Sequence, residues 1–251
     1  MSQAPHIVVL GGGPAGGTTA LGLRKLGYPV TLITEPRPFK AVEGISDRVV
    51  EGLRGAGFNN ALKKLPTPSP RLASWNGERS SANTERLINR AELDAGILQD
   101  LKDAGIRVLP ARIAKLVSTA KGHQVQLIDK NEEKGKEKGK EGNKKQNTDI
   151  TADFLVEARG RAAPGSGLER LRGAETVSLL QYWQGEPCSA QSAAESFKNG
   201  WAWMAVGADG TRYLQLTLDV GSAKLPAKSE LVDYCNNILK NLPGAEPFMA
   251  Q

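Results

Sequence analysis

Cysteine and histidine are scarce in this chain. Two cysteines, Cys188 and Cys235, are too few for a disulfide framework, and neither has a Cys or His at metal-ligand spacing. Both read as inert packing residues. The two histidines, His6 and His123, leave no material for a histidine-based triad or a metal cluster, so no metal site is expected. Aromatic residues make up 5% of the 251, and none is interleaved with the basic stretch, which argues against base stacking and a nucleic-acid partner. No apolar run reaches 18 residues, and no basic-then-apolar leader opens the chain. The expectation is a cytoplasmic protein with no membrane partner. With so few side chains suited to acid, base or nucleophile work, the chemistry is expected to be a cofactor's own.

What is present is the composition of a soluble globular protein, 39% hydrophobic and 24% charged. The net charge of +6 is largely local. Residues 130–145, "KNEEKGKEKGKEGNKK", hold seven lysines against four glutamates, half of the excess. They lie between two strand-like runs, "HQVQLID" and "DITADFLVEA", and 130–147 reads as a long solvated hairpin loop.

The informative stretch is "HIVVLGGGPAGGTTALGLRKLGYPVTLITE", His6 to Glu35. Its order is strand, tight turn, helix, strand, acid. Gly11 permits the sharp turn, Gly13 lets the backbone approach a pyrophosphate, and Gly16 lets the helix pack closely on the sheet. Pro14 sits in the first helical turn, where a missing N–H costs nothing, and Ala15 follows it. The free N–H groups and the helix dipole then favour phosphate. Glu35 is placed to accept from an adenosine ribose.

Further on, a proline-containing loop leads to Ser46, an N-cap for a helix carrying Val49, Val50 and Leu53. Asn89 and Glu92 have capping-box spacing before Leu93, Ile97, Leu98 and Leu101, with Gly105 as the stop and a strand at 106–109. From about residue 176 aromatic and β-branched residues alternate with small or polar ones. Asp209-Gly210 reads as a hairpin turn there, and "SELVDYCNNILKNL" as a last amphipathic helix.

Together, "VVLGGGPAGG", "AVEGISDRVVEGLRGAG", "LINRAELDAGIL", "FLVEARGRAAP" and "GWAWMAVGADGTRYLQL" resemble the flavin-dependent aromatic monooxygenases and the related flavin-dependent halogenases. The wording "SDRVVEGLRGAG", "WNGERSSANTE" and "EARGRAAP" is most similar to the flavoprotein monooxygenases that mature quinohaemoprotein amine dehydrogenase by hydroxylating a tryptophan in a small peptide subunit. The resemblance implies an α/β fold, a Rossmann-like FAD-binding domain over 1–175 and a partial β-sheet substrate domain with a C-terminal helix over 176–251. It implies FAD as cofactor and an aromatic or peptide substrate, such as a small protein subunit. Gly11, Gly13, Pro14, Ala15 and Gly16 would meet the pyrophosphate, Glu35 the adenosine ribose, and Arg37, Gly44, Arg90 and Gly160 other parts of the cofactor. Residues Val42 to Ser46 match a strap between flavin and substrate; Glu43, Ser46 and nearby Arg48 are the candidates for shaping the flavin face.

Three departures bear on mechanism. Arg159-Gly160-Arg161 stands where aromatic hydroxylases often carry an Asp-Gly motif associated with NADPH use, which argues against direct reduction by NADPH and leaves a separate flavin reductase or another donor. The halogenase tryptophan motif is half present, as Trp201-Ala202-Trp203, and these rings read as sheet packing. The later Gly-Asp segment that completes the family's flavin site is missing, so the C-terminal part of the family fold is expected to be absent. A halogenase and a non-catalytic FAD- or peptide-binding module stay open as alternatives; an NAD-dependent Rossmann enzyme is disfavoured by the elements after Glu35.

Overall fold

The computed structural model describes residues 3–37, 39–128, 148–163, 171 and 173–249; the stretch 130–147, expected as a hairpin loop, lies outside them. The chain divides into two compact units. One comprises Met1–Ala41, Val50–Leu65 and Asn89–Pro164, the other Val42–Val49, Pro66–Ile88 and Gly165–Gln251. The division is interleaved, in place of the single expected boundary at 175, because strands between residues 42 and 89 join the sheet formed by the C-terminal strands.

The first unit is built on a four-stranded parallel sheet, in the order β10 (Phe154–Glu157), β1 (Ile7–Leu10), β2 (Val30–Thr34) and β6 (Arg107–Pro110). Strand β1 is buried on both faces, which is why "IVVL" is continuously apolar rather than alternating. Two helices provide crossovers. Helix α1 (Pro14–Lys25) starts at a proline and gives way to Gly27 at φ +90°. Helix α3 (Arg90–Asp103) is capped by the Asn89 side chain, which accepts from Ala91 N–H at 2.9 Å, and it ends before Gly105 at φ +73°.

An antiparallel three-stranded sheet, β7 (Arg112–Thr119), β8 (Gly122–Ile128) and β9 (Thr148–Ala152), packs Val125, Leu127, Ile150 and Ala152 against Val8, Leu10 and Ile33. The run "DITADFLVEA" is therefore two strands in two sheets. The break falls at Asp153, whose carboxylate accepts from the His6 backbone N–H at 2.7 Å.

The second unit is a seven-stranded sheet ordered β11 (Thr176–Gln184), β14 (Thr211–Asp219), β13 (Gly200–Val206), β12 (Gln191–Phe197), β4 (Ser69–Trp75), β5 (Glu78–Asn89) and β3 (Val42–Ile45). Strands β12 and β4 run parallel, with Ser192 opposite Arg71. Residues Val42 to Ile45, expected as a loop, form an edge strand beside β5. Helix α2 (Asp47–Ala56) follows in the chain and belongs to the first unit from Val50 on, with Val50 and Leu53 buried. The Asp209-Gly210 turn forms as expected, Gly210 at φ +82° with its N–H donating to the Gly207 carbonyl at 2.9 Å.

Helices α4 (Leu231–Lys240) and α5 (Glu246–Met249) bring Cys235, Leu239 and Phe248 onto Ala193, Ala202, Met204, Leu214 and Leu216. Of the two cysteines, Cys235 alone is a packing residue; Cys188 is exposed, because it lies in the loop before β12. Among the described residues no helix is long and apolar enough to cross a membrane, and no group of three or more His, Cys, Asp or Glu could hold a metal ion.

Candidate functional site

The glycine turn joins β1 to α1, and each glycine answers a different constraint. Gly11 takes φ +108°, and a β-carbon there would collide with the Ala158 carbonyl. A β-carbon on Gly16 would land on the Gly11 carbonyl oxygen. Beside Gly13 the space is open, with no atom within 4 Å of a built β-carbon. Gly13 is the N-cap of α1 and contributes no side-chain hydrogen bond; the first intrahelical bond runs from Gly17 N–H to the Gly13 carbonyl at 2.8 Å. Helix geometry therefore leaves the N–H groups of Ala15 and Gly16 aimed out of the N-terminus, and no acidic residue occupies the first turn to neutralise the dipole. Gly12 N–H donates to Thr34 Oγ1 at 3.0 Å and fixes the turn against β2. Uncapped donors with open space beside them fit a pyrophosphate.

Other expected residues cluster in the same unit. Glu35 is exposed just past the end of β2. Arg90 is buried, 8% exposed, and its guanidinium donates to Asp94 Oδ1 at 2.9 Å. Arg37 Nε lies 3.8 Å from the other oxygen of Asp94, with its guanidinium 5.4 Å above the Phe39 ring. Asp94 thus holds both arginines, a role that sequence spacing did not single out. Gly160 opens a single 3₁₀ turn, Gly160–Ala162, at φ +61°. Beside it, the hydrogen bond that the Arg159 guanidinium donates to Glu157 holds its pKa above the ordinary value, against the effect of burial, with a smaller contribution from Glu35.

In the second unit the structure separates the expected residues. Ser46 and Arg48 are exposed, and the Ser46 carbonyl accepts from Val49 N–H at 3.0 Å at the start of α2. Glu43 and Gly44 line a cavity of about 460 Å³ together with Arg71, Trp75, Glu85, Trp201 and Trp203. The last two lie two residues apart on β13 and so share a face. Ala202 and Met204 point the other way, into the helix-covered core. Trp201 and Trp203 are accordingly half-buried cavity walls, not full packing residues, and Trp75 stands 6.4 Å from Trp201 at an interplanar angle of 50°.

Glu85 is 5% exposed, and no sequence motif marks it. Its Oε1 accepts from Ser192 Oγ and, at 3.3 Å, from Trp203 Nε1, while Arg71 Nε lies 3.7 Å from Oε2. A β-carbon at Gly44 would overlap this carboxylate, so the glycine makes room for it. A glutamate in the middle of a strand that continues as "RLI" was the available signal.

Comparison with known proteins places these features in context. The chain is 44% identical, over 99% of its length and 53% of the other chain, to a structure of a peptidyl tryptophan dihydroxylase essential for tryptophylquinone cofactor biogenesis, with a TM-score of 0.82. It is 37% identical over 107 residues to the 3-demethoxyubiquinol 3-hydroxylase of Escherichia coli strain K12, which covers 39% of this chain and 26% of that protein. A flavin-dependent halogenase, CmlS, shares the fold at 17% identity and a TM-score of 0.78, over 99% of this chain and 48% of its own. The chain thus spans about half the length of the dihydroxylase and about a quarter of the hydroxylase. Residues 5–212 match the FAD binding domain family across both units, and the chain belongs to that family.

Proposed function

We propose that this chain serves an FAD-dependent monooxygenase that hydroxylates an aromatic substrate, the tryptophan side chain of a peptide or small protein subunit. The observation that carries the reading is the 44% identity to a peptidyl tryptophan dihydroxylase over 99% of this chain. The tryptophan-lined cavity of the second unit supports it.

In this reading Gly11, Gly13, Pro14, Ala15 and Gly16 hold the FAD pyrophosphate through the α1 N-terminus, and Glu35 accepts from the adenosine ribose. Arg90 and Arg37, steadied by Asp94, supply positive charge to the cofactor, and Gly160 allows backbone approach. Gly44 and Glu43 belong to the substrate cavity. Bound and reduced, FAD supplies the activation of O2 from which an oxygen atom reaches the ring. The protein's work is to orient that ring and exclude water from it. Arg159-Gly160-Arg161 favours a separate flavin reductase as electron donor.

The test supplies the chain with reduced FAD, O2 and a tryptophan-bearing peptide, and follows peptide mass. A gain of one or two oxygen atoms is expected. Peroxide release with unmodified peptide would overturn the reading, and a chlorine-bearing product in chloride would move the chain to the halogenases.

A further inference from the structure

The carboxylate of Glu85 is unevenly used. Oε1 already accepts two hydrogen bonds, from Ser192 Oγ and Trp203 Nε1. Oε2 accepts none among the described residues; Arg71 Nε, at 3.7 Å, lies beyond hydrogen-bond range and is itself buried without an acceptor. An ionised carboxylate can accept about four hydrogen bonds, so acceptor capacity is left over on an oxygen belonging to a residue that lines the cavity. Oε2 is not among the fully buried atoms left without a partner, so a donor held in the cavity can reach it.

The walls narrow the choice of donor. Trp75, Trp201 and Trp203 offer flat apolar surface suited to an aromatic ring stacked or tilted against them. The Arg71 guanidinium, with Nε 3.7 Å from Oε2, already offsets the Glu85 charge, so the oxygen needs a further donor and not a further cation. A neutral planar ring carrying an N–H meets both conditions.

We infer that Glu85 is the specificity residue of this cavity, with Oε2 accepting the indole N–H of the substrate tryptophan. Ser192 and Trp203 fix the carboxylate by occupying Oε1, and Gly44 keeps the space that the carboxylate fills. This inference rests on the reading of the chain as a tryptophan-directed monooxygenase, but it concerns binding and is tested without turnover.

The experiment is calorimetric titration of the full 251-residue chain with N-acetyl-tryptophanamide and with its benzothienylalanine counterpart, in which sulfur replaces the N–H at nearly the same shape. The native chain is expected to prefer the indole by about tenfold or more, because the sulfur analogue leaves Oε2 unpaired. Glu85→Gln keeps an oxygen for Ser192 and Trp203 and places an NH2 where Oε2 was. It is expected to remove the indole preference while shifting benzothienyl binding by less than about threefold. Equal affinity of the native chain for both probes, or a preference that survives Glu85→Gln, overturns the inference and leaves the oxygenation assay as a separate test of the monooxygenase reading. Binding of neither probe overturns it as well. The native comparison stands even if the variant does not fold.

Discussion

Asp100, on the buried side of α3, accepts hydrogen bonds from both the backbone N–H and the side-chain amide of Asn60, each at 2.8 Å, and from Ala61 N–H at 3.0 Å. A helix carboxylate thereby supplies the acceptors for the loop that follows α2. Asp100→Ala leaves the buried Ala61 N–H and the part-buried Asn60 N–H without partners, and a loss of about 2 kcal/mol is expected. Urea denaturation should show it as a lower midpoint with an unchanged slope; a shift under about 0.5 kcal/mol would mean that water replaces the carboxylate.

Gly13 and Gly16 should separate folding from cofactor binding. Gly16→Ala places a methyl on the Gly11 carbonyl, so both stability and FAD affinity are expected to fall. Gly13→Ala meets no protein atom at a φ of −75°, so stability should stay within about 0.5 kcal/mol while FAD binding weakens by about tenfold or more. Flavin fluorescence titration alongside thermal melting checks both. Unchanged FAD affinity in Gly13→Ala would remove this turn from the cofactor site.

The Asp209 carboxylate should titrate low. Backbone and side-chain hydrogen bonds from Thr211 hold its pKa below 3.8, its ordinary value. The sign follows directly: a depressed carboxylate pKa gives a stabilising contribution that is complete above the unfolded value and is lost as pH falls through the folded one. The β13–β14 turn should therefore be at full strength at neutral pH and loosen only in acid. Carboxyl carbon NMR should place the midpoint below 3.8, and Thr211→Val should move it up.

The two thiols should differ sharply in reactivity. Cys188 is exposed, whereas Cys235 is buried among Leu239, Phe248 and Met204, and burial pushes its thiol pKa up. A thiolate-directed reagent should modify one thiol quickly in the native chain and the second only on unfolding. Two fast thiols would contradict the packing of α4 on the sheet.

How much of this was legible in sequence depended on the range of the interaction. Gly11, Gly13, Gly16 and Pro14 act through spacing within six residues, and the strand, turn and helix were visible from them. Asn89 as a cap, Asp209-Gly210 as a turn and the α4 pattern are equally local. The β4–β5 hairpin was harder to see because "ERSSANTE" lacks apolar alternation, although Asn76-Gly77, with φ of +52° and +86°, carried the turn signal. Val42 to Ile45 resembled a loop because Gly44 is a poor strand former, and its reason for being glycine is Glu85, forty-one residues later. Glu85, Arg71 and Trp203 become neighbours only through the pairing of β4, β5, β12 and β13, which no spacing rule encodes.

The parallel pairing of Arg71 with Ser192 has a consequence for the growing chain. At about 5–20 residues per second, β4 leaves the ribosome on the order of ten seconds before its partner β12 exists. During that interval one edge of the β4–β5 hairpin has no strand beside it and is open to pairing with another molecule. Closing so distant a contact also slows refolding. The exposed residues Glu78, Arg79 and Ser80 make β5 hydrophilic, but β4, the strand with the open edge, exposes Leu72 and Trp75. The nascent chain therefore carries an apolar unpaired edge until β12 is made.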